Sequence, residues 1–366
     1  MSFENFHTVL ALLLTNGARP EDCFELAVDP EEAFIMLQDA AGRRQLSLFT
    51  GHDLGPVDWK TFDAQLSALA RCAGAGLCCL DTGYPEAFHE VHRPPPLLFC
   101  TGDISLFRHG GIAVVGTRKP SPGGAAFAGR LAEELAAQGV VVTSGLARGI
   151  DSAAHVGALR GGARTVAVIG TGIDVPYPPE NADLMCEIGR AGCVVTEQWM
   201  GMHADRQVFP RRNRLISALS LAVVVVEGGL RSGALITSRW ALEQGRDVGA
   251  VPGFPGDFRS AGPNQLLRQG AFVVEGAADV FDAVPRLRPA DTVAHLRPDD
   301  PGGSDVERGT AVAAVLDAVG GTPCHPDEIA ASTGLAIAEV LGAVVELEIA
   351  GLLVRDDGGA VVRTGK

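Results

Sequence analysis

From Gly111 to Gly253 the chain alternates short, continuously apolar runs with small-residue turns and stretches of helical spacing. The apolar runs are Ile112 to Val115, Val140 to Thr143, Thr165 to Ile169, Cys193 to Thr196, Leu221 to Val226, Val248 to Val251 and, just beyond, Phe272 to Val274. Runs that are apolar at nearly every position belong to strands covered on both faces by helices. Helical periods fill the intervals, as in Ala126 to Gln138 and Ala234 to Gln244. The pattern predicts an α/β fold, an open, Rossmann-like sheet that is mainly parallel.

The two ends read differently. Residues 1 to 80 carry helical spacing (Leu66, Leu69, Ala70) punctuated by Gly17, Pro20, Pro30 and Gly42, and predict a small helical domain. The sheet domain is expected over 81–287, entered through an extended connector, Gly83 to Asp103, whose Pro94 to Pro96 cannot be helical. Residues 288–305, rich in proline, glycine and charge, read as a linker. In 306–366, helices are expected at Thr310 to Val319, Pro326 to Thr333 and Leu335 to Ala350, then two strands around a Gly358-Gly359 turn. Three helices and a hairpin match a winged helix.

With 366 residues and 46% hydrophobic content, general disorder is excluded. No apolar stretch reaches the roughly 18 residues of a membrane span. The patch Val9 to Leu14 is preceded by Glu4, where a secretory signal needs basic residues, so it reads as a buried amphipathic helix. Eight cysteines without C-x-x-C spacing are expected to be buried thiols of a cytoplasmic protein, with no metal site.

The net charge of −14 argues against a polyanion ligand until its distribution is considered. Residues 1–110 hold 7 basic and 15 acidic side chains, residues 251–366 hold 9 and 17, but residues 111–250 hold 14 and 12. The basic side chains of this middle segment gather at turns: Arg118, Lys119, Arg148, Arg211, Arg212, Arg214 and Arg231. Because screening limits distant charge to about 8 Å at physiological salt, a local basic groove in an acidic chain can still hold phosphate. Backbone N–H groups at helix starts add to it.

At the first turn, Gly116 permits a sharp bend, Thr117 offers a hydroxyl, Arg118 a fork of donors, and Ser121-Pro122 has the form of a helix cap. The turn Ser144 to Asp151 is followed one helical turn later by His155. Asp151 and His155 can be an acid and base pair or a hydrogen-bonded brace, and with no nucleophile beside them the brace is preferred. The nicotinamide and flavin fingerprint is missing: Gly170-Thr-Gly172 is followed by Val175 where the third glycine belongs, so no cofactor is expected.

Taken in order, Gly116-Thr-Arg118, Ser144-Gly-Leu-Ala-Arg-Gly-Ile-Asp151 with His155, Gly170-Thr-Gly-Ile-Asp174 followed by Tyr177-Pro178 and Asn181, Phe209-Pro-Arg-Arg-Asn-Arg214, Ser232-Gly233 through Thr237, and Val251-Pro-Gly253 resemble the DNA-processing protein A family, DprA or Smf. The likeness runs from about residue 80 to 285. It implies an extended Rossmann-like fold in a non-enzymatic protein that binds single-stranded DNA without base preference, dimerises, and loads RecA in natural transformation. It also implies a helical N-terminal domain similar to sterile alpha motifs and a C-terminal winged helix. By that likeness Gly116, Thr117 and Arg118 contact phosphate, with Arg148, Asn213 and Arg214 near the same groove. Asn181, Ser232 and Gly233 fall in its motifs.

Family members often carry a lysine in the loop that here reads Pro178-Pro179-Glu180-Asn181; Arg211 or Arg212 is the expected replacement. Tyr177 and Phe209 are candidates for base stacking, with core packing favoured for Phe209. Leu266, Leu267 and Phe272 to Val274 are candidates for the dimer contact. The winged helix has no Lys or Arg between Leu335 and Val354, whereas Glu339, Glu346 and Glu348 are present, which predicts a protein-contact role over duplex reading. The rival reading is a Rossmann-like nucleotide phosphoribohydrolase, to whose glycine-rich motif Val226-Glu227-Gly228-Gly229 is similar, with Glu227 as the catalytic carboxylate.

Overall fold

A computed structural model of the chain describes residues 3–108, 110–162, 164–205, 207–287, 312, 314–316, 318–319, 324–349, 352–355 and 360–363. It divides into two compact units, 1–289 and 290–366.

The first unit opens with four helices, α1 (Phe3–Leu13), α2 (Pro30–Leu37), α3 (Ala40–Thr50) and α4 (Trp59–Arg71). The starts of α2, α3 and α4 are set by side-chain caps. Asp29, Asp39 and Asp58 accept hydrogen bonds from the amides of Glu31, Gly42 and Thr61 at 3.0, 2.7 and 3.0 Å. These satisfy donors that a helix start leaves open. There follow β1 (Ala75–Cys78), β2 (Leu97–Gly102), β3 (Gly111–Val115), α5 (Pro122–Ala137), β4 (Val142–Ser144), α6 (Ile150–Arg160), β5 (Thr165–Val168), α7 (Ala182–Ala191) and β6 (Cys193–Thr196). The unit continues with α8 (Val208–Ala218), β7 (Ser220–Val225), α9 (Gly233–Glu243), β8 (Asp247–Ala250), α10 (Ala261–Arg268), β9 (Phe272–Val273) and α11 (Ala277–Ala283).

The nine strands form one sheet in the order β1-β2-β6-β5-β4-β3-β7-β8-β9. Pairings from β6 to β9 are parallel, and β1–β2 and β2–β6 are antiparallel. The mainly parallel α/β sheet is as the apolar runs predict. Successive side chains of a strand point to opposite faces. Accordingly, Ala113 and Val115 join one buried cluster and Ile112 and Val114 the other, as do Val223 and Val225 against Ala222 and Val224.

Three details differ from expectation. The segment Gly83 to Asp103 is not only a connector, because it contains β2, and the sheet begins at Ala75, ahead of the boundary expected at residue 80. The terminal helices also share a core with the sheet: Val9, Leu10, Phe62 and Leu69 lie in the same buried cluster as Leu98, Val194 and Val223.

The chain runs outward from β3 through β4, β5 and β6, then returns by α8 to place β7 on the other side of β3. The order therefore reverses between β3 and β7. The carboxyl ends of strands at such a reversal diverge and leave a crevice.

The second unit contains α12 (Pro326–Thr333), α13 (Ile337–Ile349) and the antiparallel pair β10 (Leu353–Arg355) and β11 (Val361–Arg363). Val340, Val344 and Leu347 of α13 pack with Ile329, Leu353 and Val361. Gly334, at φ +74°, ends α12 in the left-handed conformation that favours glycine. The expected linker 288–305 and the Gly358-Gly359 turn lie outside the described residues, as do Thr310, Ala311, Ala313 and Asp317 of the helix expected at Thr310 to Val319.

Candidate nucleic-acid interface

A half-open trough of about 620 Å³ lies at the β3/β7 reversal. Its walls come from the turn after β3 (Gly116, Thr117, Arg118), Ala147 after β4, Tyr177 after β5, the first turns of α8 (Phe209, Pro210, Arg212, Asn213) and the start of α9 (Ser232 to Thr237). A smaller hollow adjoins it, sharing Arg118, Tyr177, Phe209 and Arg212 and adding Arg148, Gly170 and Thr171.

The β3 turn is pinned from behind. The Thr117 amide donates to the Glu227 carbonyl at 2.7 Å, and the Glu227 carboxylate accepts from the Ser121 amide at 2.8 Å and the Ser121 hydroxyl at 2.5 Å. Ser121 in turn caps α5 by accepting from the Gly124 amide at 2.9 Å. A Cβ at Gly116 would lie 2.5 Å from Ile150 Cγ1 and 2.9 Å from the Glu227 carbonyl oxygen, so only glycine lets the turn sit there. Arg118 is left exposed at the lip, its guanidinium 5.3 Å from the centroid of the Phe209 ring. Tyr177 lies against the same ring at 5.4 Å. Phe209 is thus half-buried in the trough wall, not in the core where the sequence reading favoured it. The signal available was Pro210: a residue just before a proline at a helix start stands at the helix's open end.

The β4 turn is held by the pair suspected from spacing. Asp151 Oδ2 accepts from the Gly145 amide at 3.1 Å. His155 Nε2 accepts from the Leu146 amide at 3.3 Å, and its Nδ1 lies 2.8 Å from Thr165 Oγ1, which donates to the Val142 carbonyl. That chain of bonds requires a neutral ring protonated on Nδ1. Burial, assisted by the Arg212 charge, lowers the His155 pKa to about 3. Burial raises that of Asp151, against the opposing pull of Arg212. The two residues brace Leu146, a non-glycine residue at φ +54°. Both are engaged in hydrogen bonds that hold the turn, as the preferred sequence reading has it.

Helix α8 holds the least expected arrangement. Arg212, Asn213 and Arg214 are consecutive and all more than nine-tenths buried. Steps of one residue turn a helix by about 100°, so the three point to three different places. Arg212 donates to the carbonyls of Gly145, at 2.7 Å, and Val168, at the ends of β4 and β5. Burial lowers its pKa to about 10, partly offset by Asp151, so it remains charged at neutral pH. A Cβ at Gly145 would come within 2.6 Å of this guanidinium. Asn213 faces α9, donating to the Gly233 carbonyl at 3.3 Å.

Arg214 is a correction to the expected groove. It donates to the carbonyls of His92 at 3.1 Å and Arg93 at 2.8 Å and pairs with Glu197 at 2.7 Å, outside the trough lining. It clamps the chain ahead of β2 to the sheet. Asn181 is likewise committed, donating to the Leu146 carbonyl at 2.9 Å and to Ser152 Oγ at 2.8 Å. Arg211 is exposed on α8 but outside the lining, and Arg212 lies beneath the turns. Arg148 stands on the rim, paired with Glu180 in the loop that departs from the family's lysine.

Ser232 and Gly233 occupy the start of α9. The Ser232 hydroxyl is buried and has no hydrogen-bond partner among the described residues. A helix start offers unsatisfied N–H groups and the positive end of the helix dipole, and it faces the trough here. Arg118, charged Arg212 and this helix start therefore converge on one trough. Among the described residues no cluster of three or more His, Cys, Asp or Glu could hold a metal ion. None of the described helices is, singly, long and apolar enough to cross a membrane.

Residues 76–285 match the DNA recombination-mediator protein A family, and residues 303–359 match the DprA winged helix domain. The chain is 34% identical over 309 residues to protein Smf of Synechocystis, covering 76% of this chain and 77% of that one. It is 43% identical over 202 residues to DNA processing protein DprA of Streptococcus pneumoniae, covering 55% and 71%. The X-ray structure of the pneumococcal DprA superposes with a TM-score of 0.62 at 31% identity, over 78% of this chain and 99% of that one. DNA processing protein A of Helicobacter pylori, whose structure concerns its single-stranded DNA binding mode, superposes with a TM-score of 0.54 at 29% identity, over 59% and 97%.

Proposed function

The chain belongs to the DNA recombination-mediator protein A (DprA/Smf) family, and on that premise we propose that it is a DNA-processing protein that holds single-stranded DNA by its phosphates in the β3/β7 trough. The observation that carries this reading is the convergence of the Arg118 guanidinium, the buried Arg212 charge and the open start of α9, with its unpaired Ser232 hydroxyl, on one crevice. Donors of this kind grip the sugar-phosphate chain and are indifferent to base identity. Tyr177 and Phe209 supply ring faces beside them.

Further parts of the reading follow from the family. The protein loads RecA onto the strand it holds and acts as a homodimer, for which β9, the last strand of the sheet, is the candidate edge. It works without a cofactor and without turnover, in the cytoplasm. The phosphoribohydrolase alternative is disfavoured because the Glu227 carboxylate is engaged by Ser121 behind the turn, not aimed into the trough.

The test is binding of labelled oligothymidylate by fluorescence anisotropy across a salt series. Arg118→Ala is expected to weaken binding about tenfold or more, the loss of one charge-assisted contact. The log-log salt slope is expected to fall by about 0.7, one phosphate's worth on a single strand. Unchanged affinity and slope would remove the trough from the binding site.

A further inference from the structure

We propose that Phe254 and Phe258, on the loop after β8, form a base-stacking platform that extends the trough along the carboxyl edge of the sheet; the proposal rests on the strand-binding reading above. Phe254 is 82% and Phe258 68% exposed. Large aromatic rings normally bury most of their surface, so two on one short loop call for an occupant.

The loop presents these rings rigidly. Phe254-Pro255-Gly256-Asp257 closes a turn through the Asp257 amide to the Phe254 carbonyl at 3.2 Å, with Pro255 at its second position and Gly256 at φ +99°. A second turn follows, from the Ser260 amide to the Asp257 carbonyl at 3.0 Å. Asn264 clasps the loop's base, accepting from the Gly253 amide at 3.1 Å and donating to its carbonyl at 2.9 Å. The Arg259 guanidinium is held by Asp257 and lies 5.2 Å from the centroid of the Phe258 ring. A platform fixed in advance loses little entropy when a flat ligand lands on it.

The position selects the occupant. The Gly228 amide donates to the Arg259 carbonyl at 2.6 Å and the Gly262 amide to the Gly228 carbonyl at 2.8 Å, which ties this loop to the one ending in Ser232, a wall of the trough. Along the sheet edge, the loops after β5, β4, β3, β7 and β8 follow one another in the order of the strands. Four strand spacings of about 4.8 Å make this a path of about 19 Å. A strand whose phosphates sit over β3 and β7 passes the loop after β7, where Arg231 is exposed, and reaches the β8 loop next. Bases, which offer flat π-faces of any sequence, fit exposed phenylalanines better than phosphates do.

The test compares the intact protein, Phe254→Ala/Phe258→Ala and Arg118→Ala for binding oligothymidylate, an abasic oligomer of the same length, and oligonucleotides carrying 2-aminopurine at successive positions. The phenylalanine variant is expected to lose roughly tenfold in affinity for oligothymidylate. Its affinity for the abasic oligomer is expected to stay unchanged. Quenching of 2-aminopurine at one end of the footprint is expected in the intact protein and not in the variant. Unchanged affinity and quenching in the phenylalanine variant, with Arg118→Ala still impaired, would overturn the platform and leave the trough standing. A phenylalanine variant that changes oligomeric state in size-exclusion chromatography with light scattering would make the rings an interface between copies and overturn it equally. Unimpaired binding by all variants would overturn platform and trough together.

Discussion

The guanidinium of Arg118 stands over the ring of Phe209, 5.3 Å from its centroid, and Tyr177 lies against the same ring. An arginine tethered to an aromatic face keeps its charge while losing part of its conformational freedom, so it meets a phosphate already oriented. Removing the ring by Phe209→Ala is therefore expected to weaken oligothymidylate binding about two- to fivefold through Arg118 alone. Anisotropy titration measures it. An affinity equal to that of the intact protein would mean that Arg118 needs no support.

Arg212 differs from Arg118 in kind. It is buried beneath the turns, satisfying the carbonyls of Gly145 and Val168, with Asp151 as its nearest balancing charge. Arg212→Met leaves those oxygens and that acid uncompensated, and is expected to destabilise the fold by about 3 kcal/mol or more. The midpoint of urea unfolding reads this directly. Arg118→Ala, at an exposed lip, is expected to leave the same midpoint within about 0.5 kcal/mol of the parent's.

His155 makes stability depend on pH. Its folded pKa of about 3 lies below the value near 6.5 of an unfolded histidine. Between those values the unfolded chain takes up a proton that the folded chain refuses, so this contribution is whole above pH 6.5 and declines as pH falls. The slope is at most about 1.4 kcal/mol per pH unit. Asp151, whose pKa is raised, works in the opposite sense as the acid range is entered. The comparison that isolates the histidine is His155→Gln: the gap in stability between parent and variant should narrow from pH 7 to pH 5. A constant gap would show that His155 does not titrate on unfolding.

Glu180 restrains Arg148. Each holds the other's charge in place on the rim, raising the pKa of Arg148 and lowering that of Glu180. With Glu180→Gln the arginine is released toward the trough, and strand affinity is expected to rise a few-fold at low salt. The gain should vanish at high salt, because exposed charges are screened there. No gain at low salt would assign Arg148 to the loop alone.

The parallel strands were legible because their signal is local. Ile112 to Val115 and Leu221 to Val226 are apolar throughout, and a strand covered on both faces is written that way. β2 was hidden behind Pro94 to Pro96, and β1 is only four residues long. β2 owes its existence to antiparallel pairing with β6, a partner about a hundred residues away in the sequence, and β1 in turn to antiparallel pairing with β2. The turn after β3 and the brace of Asp151 and His155 were visible in spacing. The fate of Phe209-Pro-Arg-Arg-Asn-Arg214 was not, since a run of cations reads as surface. Arg212 and Arg214 are buried because strand ends and the chain near His92 leave carbonyls that need donors, a requirement visible only after distant segments meet.

The missing side chain at Gly145 sets how much of the Arg212 charge the crevice exposes. A β-carbon there would lie 2.6 Å from the guanidinium, which would have to shift from its place under the strand ends. Two proteins with the same arginines could thus present different fields to a strand, according to whether position 145 carries a β-carbon. Charge in this crevice is regulated by depth as well as by number, and counting basic residues alone would overlook it.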